Sequence, residues 1–202
     1  MSDKLLIAIV TCENRKEQTQ SQRDTWVKDV VTGDVKFFLG KQDREPLDGE
    51  IFLDVGDDYA SLPAKVREVS RWARDNDYRA LVKLDDDVIF FSGRMIEPKA
   101  DYAGWKQEPV SANYVAGMCY WLSRRAIEVM AQAELTDEPS EDRWTGKVLL
   151  EAGIRAEVWP KIQWFGKIKS RNQLPLNTHA RLSSSFVAGE FNPSELREMY
   201  RF

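Results

Sequence analysis

Tyr78-Arg-Ala-Leu-Val-Lys-Leu-Asp-Asp-Asp-Val-Ile-Phe-Phe91 is the stretch of this sequence that best predicts the fold, because three consecutive carboxylates interrupt an apolar run. Adjacent like charges repel one another, so a bound cation is one explanation for the cluster. Carboxylate oxygens suit Mg²⁺ or Mn²⁺, ions that also bind substrate phosphates. On an extended backbone Asp85 and Asp87 would share one side of the strand, and Asp86 would face the other. A solvated acidic turn between two strands is the alternative interpretation.

The size and charge of the chain predict one globular domain over residues 1–202. Of its 202 residues, 43% are hydrophobic and 31% are charged, which is enough apolar material for a full core. The net charge of −4 gives no whole-chain case for nucleic acid or membrane binding. Residues 161–202 differ, since they carry seven Lys or Arg side chains and only three Glu. This less regular basic segment either favours an anionic ligand or is a solvated tail.

The two cysteines, Cys12 and Cys119, lie in apolar, strand-like surroundings. A free Cys in such a place behaves as a small buried hydrophobe, and no spacing indicates a zinc site. The apolar run Leu5–Val10 is too short for a membrane helix, and no targeting signal is visible. We therefore expect a cytoplasmic protein with reduced thiols and no membrane span.

Apolar runs and capping residues predict strands that alternate with helices. The predicted strands are Leu5–Val10, Val35–Leu39, Glu50–Val55, Tyr78–Leu84, Val88–Phe91, Tyr114–Leu122 and Ile154–Trp159. The predicted helices are Arg23–Val31, Leu62–Asp75 capped by Ser61, a helix from Ser123 to Ala133, and Glu141–Ala152 closed by Gly153. The alternation favours an α/β fold with a mainly parallel sheet flanked by helices. Ligands of such sheets bind beyond the carboxyl ends of the strands, where Thr11 to Arg15 and Asp85 to Asp87 are expected.

Several blocks occur in an order that resembles one known family. They are Arg23-Asp-Thr-Trp26 with Phe37-Phe-Leu-Gly40, Asp57-Asp-Tyr-Ala-Ser-Leu-Pro-Ala-Lys65 with Trp72, Lys83-Leu-Asp-Asp-Asp-Val88, Tyr114-Val-Ala-Gly-Met-Cys-Tyr-Trp-Leu-Ser123, and Glu141-Asp-Arg-Trp-Thr-Gly146. Each block alone is weak, but the ordered set is similar to the β-1,3-galactosyltransferase and Fringe-like glycosyltransferases. The resemblance covers Lys4 to His179. It implies a GT-A fold and an inverting transfer of a sugar from a nucleotide sugar, usually a UDP-sugar, with Mn²⁺ or Mg²⁺.

The resemblance also implies a metal and donor site. Asp87 and His179 would bind the metal, while Asp85 and Asp86 would contact the ribose and the donor sugar. A divalent ion there would stabilise the charge that develops on the departing nucleoside diphosphate. On sequence alone, the single histidine is more often structural or exposed than a ligand.

The family's catalytic base would correspond to Asp142. This carboxylate would accept the proton of the acceptor hydroxyl, and Glu141 would orient the acceptor. Without the resemblance, both residues read as an acidic first turn that is favoured by the helix dipole, with Ser140 as the cap. Arg143 stands where the family usually has Val, beside the expected base.

Four further side chains are candidates for the nucleotide pocket: Thr11, Arg15, Arg23 and Lys65. Arginine pairs with phosphate through two hydrogen bonds or stacks on a base, and a lysine would neutralise the diphosphate. Surface or ion-paired roles are nearly equal alternatives for all four. Trp121 and Trp144 are candidates for stacking on sugar, although core packing is the commoner use of tryptophan.

The acceptor is the least determined part of this interpretation. The family's Golgi enzymes have an N-terminal anchor, a stem and more cysteines, so we expect a compact bacterial or phage-type member that uses a glycan or lipid-linked acceptor. An alternative is a phage-type enzyme that glycosylates hydroxymethylated DNA bases, with residues 161–202 tracking phosphates. A non-catalytic sugar-nucleotide or glycan-binding module and a carboxylate-metal hydrolase or nuclease remain further alternatives.

Overall fold

A mixed sheet forms the centre of the protein. The structure is a computed structural model and describes residues 3–106, 113–164, 187–189 and 191–200. Its strands are β1 (Leu5–Val10), β2 (Asp34–Leu39), β3 (Glu50–Phe52), β4 (Ala80–Asp85), β5 (Ile89–Phe90), β6 (Tyr102–Gly104), β7 (Cys119–Ser123), β8 (Ala156–Val158), β9 (Ile162–Trp164) and β10 (Val187–Gly189). Within the described ranges, seven of these strands form one sheet in the order β3-β2-β1-β4-β7-β6-β8.

The predicted α/β class with a mainly parallel sheet is confirmed. Strand β1 runs parallel to both of its neighbours, and Ile9 pairs with Phe37 on β2 and with Leu84 on β4. The other half of the sheet is mixed, because β7 runs antiparallel to β4 and to β6. Strand β6 was not predicted, and the strand predicted over Tyr114–Leu122 is confined to β7.

Helices cover both faces of this sheet. They are α1 (Lys16–Asp24), α2 (Leu62–Asp75), α3 (Arg124–Gln132), α4 (Glu141–Glu151) and α5 (Pro193–Met199). All six residues of β1 are buried, and alternate side chains join the two apolar clusters that lie on opposite faces. Such two-sided burial is what a continuous apolar strand predicts. Within the described part of the chain, no helix is both long enough and apolar enough to cross a membrane.

Three predicted helices are present close to their expected limits. Helix α2 has the predicted bounds, but the Ser61 side chain does not cap it and donates instead to Asp58 at 2.9 Å. The hydroxyl of Ser123 does cap α3, where it accepts the amide of Ala126. After α4, Gly153 has a φ of +74°, a left-handed conformation that favours glycine.

The helix predicted over Arg23–Val31 is wrong. Helix α1 instead occupies the polar stretch before it, and a short 3₁₀ turn over Trp26–Asp29 follows. Its buried side chains are all polar, so it has no apolar stripe for periodicity to detect: Gln18, Thr19, Ser21 and Gln22. These side chains form hydrogen bonds with backbone groups. Gln22, for example, donates to the carbonyl of Val88 at 3.2 Å. The tertiary structure therefore stabilises a helix that the hydrophobic pattern does not show.

The described parts of the C-terminal segment are more regular than the sequence suggests. Strands β9 and β10 form a second sheet with β5, and α5 begins with a capping box formed by Asn192 and Glu195. The amide of Phe191 donates to the carbonyl of Asp87 at 2.9 Å, so a backbone hydrogen bond joins this segment to the acidic turn. Of the basic residues in this segment, Lys167, Lys169, Arg171, Arg181 and Arg201 lie outside the described residues.

Candidate active site

The acidic cluster lies where β4 leaves the sheet. The strand ends at Asp85, and Asp86 and Asp87 form a turn before β5. All three residues line one pocket. The carboxylate of Asp86 binds Thr11 and Arg15, whereas that of Asp85 binds Lys83, so the two neighbouring acids have different partners. The turn is supported from below by Gln22 and by the indole N–H of Trp26, which donates to the carbonyl of Val88 at 3.0 Å.

Asp86 connects the acidic turn to the end of β1. Its carboxylate accepts the hydroxyl of Thr11 at 2.6 Å and two hydrogen bonds from Nε of Arg15 at 2.7 and 2.8 Å. The Arg15 side chain is 44% exposed, and its guanidinium also lies 3.6 Å from Asp87. These bonds raise the pKa of Arg15 above its ordinary value, although burial opposes the shift. Asp86 thus holds a cation at the pocket wall, and the cation keeps an exposed edge.

An ion pair between Lys65 and Asp57 also lies at this pocket. Nζ of Lys65 donates to Asp57 at 2.6 Å and to the carbonyl of Thr11 at 2.7 Å, and the Lys65 side chain is 1% exposed. Asp57 also accepts the amides of Glu13 and Gly40, each at 2.7 Å. Burial opposes ionisation of Asp57, but these hydrogen bonds outweigh it and lower its pKa. Lys65 therefore lines the pocket, and its charge is partly neutralised by Asp57.

The first pocket is the cavity at the carboxyl ends of β1 and β4. It has a volume of about 460 Å³ and contains five of the predicted donor-side residues with Asp87. Those six are Thr11, Arg15, Lys65, Asp85, Asp86 and Asp87, and Cys12, Asn14 and Tyr59 are among the further lining residues. The pocket has carboxylate oxygens, a guanidinium and an ammonium on its walls, a combination that suits a phosphorylated ligand bound with a cation.

A second pocket adjoins the first. Its volume is about 350 Å³, and it shares Tyr59, Leu62 and Asp85 with the first pocket. Asp142 and Glu141 lie on its wall, with Trp105 and Gly117 among the other lining residues. The predicted base and the predicted donor-binding residues are therefore in neighbouring cavities that meet at Asp85.

Glu141 is buried at the N-terminus of α4. Its Oε1 accepts the hydroxyl of Tyr120 at 2.5 Å and that of Thr145 at 3.1 Å, while its Oε2 lies 3.5 Å from Nζ of Lys83. Burial raises the pKa of Glu141, and Lys83 and Tyr120 oppose that rise. A methyl group added at Gly117 would come within 3.1 Å of Oε2, so the absence of a side chain there leaves room for this carboxylate.

Asp142 is the more accessible acid of the pair. Its Oδ1 accepts the hydroxyl of Ser140 at 2.5 Å and the amide of Arg143 at 2.8 Å, and neither bond uses Oδ2. Ser140 occupies the N-cap position, but its side chain binds Asp142 and makes no capping bond to the helix. The arrangement fixes the orientation of the carboxylate beside the second pocket.

Arg143 is directed to another cavity. Its guanidinium lies over the ring of Tyr114, 5.9 Å from the centroid. Together with Lys147 it lines a cavity of about 420 Å³ that does not include Asp142. The departure from the family pattern at this position therefore does not change the wall of the second pocket.

Other predicted residues lie elsewhere. The structure places Arg23 outside both pockets, where its guanidinium lies 4.0 Å from the ring centroid of Phe37 and donates to the carbonyl of Asp48. Trp121 and Trp144 are 4% and 0% exposed and belong to the core, so the suggested sugar stacking is wrong for both. His179 lies outside the described residues.

The carboxylates suit a metal ion that is completed by a substrate. Asp85 and Asp87 line the first pocket with side chains 40% and 28% exposed, whereas Asp86 is engaged by Thr11 and Arg15. Among the residues that the structure describes, no group of three or more His, Cys, Asp or Glu side chains is placed to hold a metal. Since Mg²⁺ and Mn²⁺ bind through one or two carboxylates with water and phosphate, the oxygen donors fit such an ion.

Several residues that line the pockets have no role that the sequence predicts. Asp57, Lys83 and Gly117 belong to the ordered blocks, and their spacing from the acids was the signal available. Tyr59 is 76% exposed at the junction of the two pockets, and an exposed aromatic residue cannot be told from a core one by sequence alone. Trp105 carries no sequence signal of any kind.

Comparison with known proteins gives a structural likeness but no sequence match. No protein-family model matches the chain, and no curated protein matches its sequence. A solved structure of a glycosyltransferase involved in the glycosylation of the major capsid of PBCV-1 matches with a TM-score of 0.59 and 11% sequence identity. The match covers 98% of this chain and 100% of that one. At this identity the likeness establishes that the chain has a glycosyltransferase fold.

Proposed function

We propose that this protein is a metal-dependent, inverting glycosyltransferase of the GT-A type, similar to the β-1,3-galactosyltransferase and Fringe-like enzymes. Its donor would be a nucleotide sugar, most simply a UDP-sugar, and its acceptor a hydroxyl of a glycan. The observation that carries the proposal is the meeting of two pockets at Asp85, one with the acidic turn and Arg15, the other with Asp142. The glycosyltransferase fold of the whole chain supports the same conclusion.

The first pocket is suited to the donor. Its position beyond the carboxyl ends of parallel strands is where open α/β sheets bind nucleotides. Arg15 keeps an exposed edge beside Asp87 and would pair with phosphate, and the ammonium of Lys65 adds positive potential from below. Asp85 lies at the border of both pockets and would contact hydroxyl groups of the donor sugar. Arg23 has no part in this proposal.

The second pocket is suited to the acceptor. An acceptor hydroxyl beside Asp142 would transfer its proton to the carboxylate as its oxygen attacks the anomeric carbon. The bond from that carbon to the diphosphate oxygen breaks on the opposite face, which gives inversion. Ser140 and the amide of Arg143 hold Oδ1, so Oδ2 is our candidate for the atom that receives the proton.

Asp87, with Asp85 nearby, would hold Mn²⁺ or Mg²⁺, and His179 remains a proposed ligand. Such an ion, when bound, supplies Lewis-acid stabilisation of the diphosphate. Arg15 would contribute to the same stabilisation through charge-assisted hydrogen bonds.

The charges of the second pocket favour a saccharide over DNA as the acceptor. Its walls carry Asp85, Glu141 and Asp142, while its cation, Lys83, is 3% exposed and bound to Asp85. A phosphodiester chain in this cavity would meet carboxylates at close range, which costs free energy. A sugar ring avoids that cost because it brings hydroxyl groups that carboxylates can accept.

The test is nucleoside diphosphate release from a panel of nucleotide sugars, with Mn²⁺, Mg²⁺ or a chelator, in the presence of neutral glycosides. We expect release with one donor that depends on the metal. Asp142→Asn should lower turnover by about 10² to 10⁴-fold, the usual contribution of a general base, without loss of donor binding.

Three results would contradict parts of this proposal. Full turnover in Asp142→Asn would remove the base assignment. Ligand binding without turnover in the parent protein, unchanged in Asp142→Asn, would favour a binding module. Metal-dependent cleavage of the donor or of DNA without sugar transfer would favour a hydrolase or nuclease.

A further inference from the structure

A buried cation lies between the two pockets. Lys83 is on β4, and its side chain is 3% exposed. Its Nζ donates to Oδ1 of Asp85 at 2.5 Å and to the carbonyl of Gly117 at 2.5 Å, and lies 3.5 Å from Oε2 of Glu141. Asp85 lines both pockets, whereas Glu141 lines the second one. One ammonium group is thus shared by a carboxylate of each pocket.

The surroundings keep Lys83 in one place. Burial opposes its charge, but Asp85 and Glu141 outweigh that effect and raise the pKa of Lys83 above its ordinary value. The far oxygen of Glu141 is held by Tyr120 and Thr145, so Oε2 remains directed towards Lys83. On the other side, the amide of Asp85 donates to the carbonyl of Met118 at 3.0 Å. The Glu141 carboxylate is therefore held by other side chains, whereas Asp85 is held through its backbone and its carboxylate binds Lys83.

We propose that Lys83 is a positioning residue that couples the donor pocket to the acceptor pocket through Asp85 and Glu141. When Glu141 carries its charge, Lys83 is attracted to two carboxylates and holds Asp85 only in part. If Glu141 loses its charge, Lys83 is attracted to Asp85 alone and binds it more strongly. The Asp85 carboxylate is then less available to the donor. This inference goes beyond the proposed function but rests on its assignment of the first pocket to the donor.

The experiment is a calorimetric titration of the full chain with UDP in the presence of Mn²⁺. Glu141→Gln is nearly isosteric and lies outside the first pocket, yet it should weaken UDP binding by about fivefold or more, a typical coupling between sites. Asp142→Asn is the matched control, because it removes a neighbouring charge from the second pocket while the Asp142 carboxylate binds Ser140 and Arg143 and not Lys83. Its UDP affinity should stay within about twofold of the wild type, as independent sites do.

Equal UDP affinities of wild type and Glu141→Gln would overturn the coupling and leave the proposed function intact. An equal loss of UDP affinity in Glu141→Gln and Asp142→Asn would also overturn the coupling, because the effect would then come from the total charge of the second pocket. A wild-type protein that binds no UDP or other nucleoside diphosphate would instead contradict the donor assignment.

A second measurement tests the coupling without any ligand. The free energy of unfolding is measured for Asp85→Asn, Glu141→Gln and the double variant in a double-mutant cycle. If Lys83 joins the two carboxylates, their effects are non-additive beyond the error of the measurement. Additive effects would overturn the proposal whatever the protein binds.

Discussion

Asp57 shows how one side chain organises the donor pocket. It accepts hydrogen bonds from the amides of Glu13 and Gly40 and from the ammonium of Lys65, so it joins the ends of β1 and β2 to α2. A carboxylate bound in this way stabilises the loop that carries Arg15 without itself needing to touch a ligand. Asp57 belongs to one of the ordered sequence blocks, but its partners Glu13 and Gly40 lie 44 and 17 positions away along the chain.

Asp57→Asn should lower the free energy of unfolding by about 3 kcal/mol at neutral pH, because it leaves the buried Lys65 without its counter-charge. The lowered pKa of Asp57 also predicts a pH dependence. The stabilisation is present above the ordinary pKa of aspartate and is lost as pH falls through the lower folded-state value. The wild type should therefore lose stability more steeply than the variant below about pH 4.

Urea unfolding at a series of pH values measures this prediction. Asp58→Asn is the control, since Asp58 is an exposed cap of the 3₁₀ turn before α2 and should cost about 1 kcal/mol or less. If the free energy of unfolding fell equally steeply with falling pH in the wild type and in Asp57→Asn, the predicted contribution of Asp57 would be contradicted.

Gly117 is a second position where one atom decides the geometry. A methyl group there would lie 3.1 Å from Oε2 of Glu141 and 3.8 Å from Nζ of Lys83. Gly117→Ala should therefore lower kcat/KM for glycosyl transfer by about 100-fold, because a small displacement at a reaction site is costly. Gly93→Ala is the control, since a methyl group there meets no atom within 4 Å. Equal losses in both variants, measured by diphosphate release, would contradict this role.

Among the secondary-structure elements, α1 and α5 form the side of the fold that supports the acidic turn. They pack on each other, and Gln18 of α1 donates to the carbonyl of Phe191 at 2.6 Å. The amide of Phe191 in turn binds the carbonyl of Asp87. Two helices that sequence patterns missed or left undefined thus hold the backbone of the proposed metal-binding residue.

Leu196→Ala should destabilise the protein by about 2 to 5 kcal/mol, the usual cost of a cavity in a core. Leu196 is the central apolar side chain of α5 and is 0% exposed. Val31→Ala is the control, because Val31 is 81% exposed and should change stability by less than about 0.5 kcal/mol. Chemical unfolding of both variants measures the difference. A change of less than 1 kcal/mol in Leu196→Ala would mean that α5 is not a stable part of the domain.

At the scale of the whole molecule, the sheet brings two pockets together from six separate segments of the chain. A donor that binds the folded state stabilises it by mass action, by about 2.7 kcal/mol at 100 times its dissociation constant. For a domain of this size that corresponds to a rise in Tm of roughly 5 to 10 °C. We expect this rise with one nucleotide sugar and Mn²⁺ in thermal unfolding.

The same experiment on Asp87→Ala separates metal-assisted binding from nucleotide binding alone. The rise should be lost in Asp87→Ala, with the Tm of the unliganded variant as its reference. A rise of equal size in the variant would show that the donor binds without Asp87, and no rise with any donor would contradict the donor pocket.

The sequence by itself determined the fold class, the buried strand β1, helix α2 and the placement of the acidic cluster at the end of a strand. These features follow from local patterns: continuous apolar runs, helical spacing and capping residues are all visible within about ten neighbours along the chain. Strand-end placement predicted that Thr11 and Arg15 would lie near Asp85 to Asp87, and Lys65 was a further candidate for the nucleotide pocket; the structure brings all of them into one pocket.

Only the tertiary structure decided how these residues are used. It bound Asp86 to Arg15, buried Lys83 between two carboxylates, turned Arg23 away towards Phe37 and stabilised α1 through buried glutamines. Several of these contacts join residues far apart along the chain: Asp86 lies 71 positions from Arg15, and Val88 lies 66 positions from Gln22. Hydrogen bonds and ion pairs across such distances leave no periodic signal, because their geometry exists only after the sheet has formed.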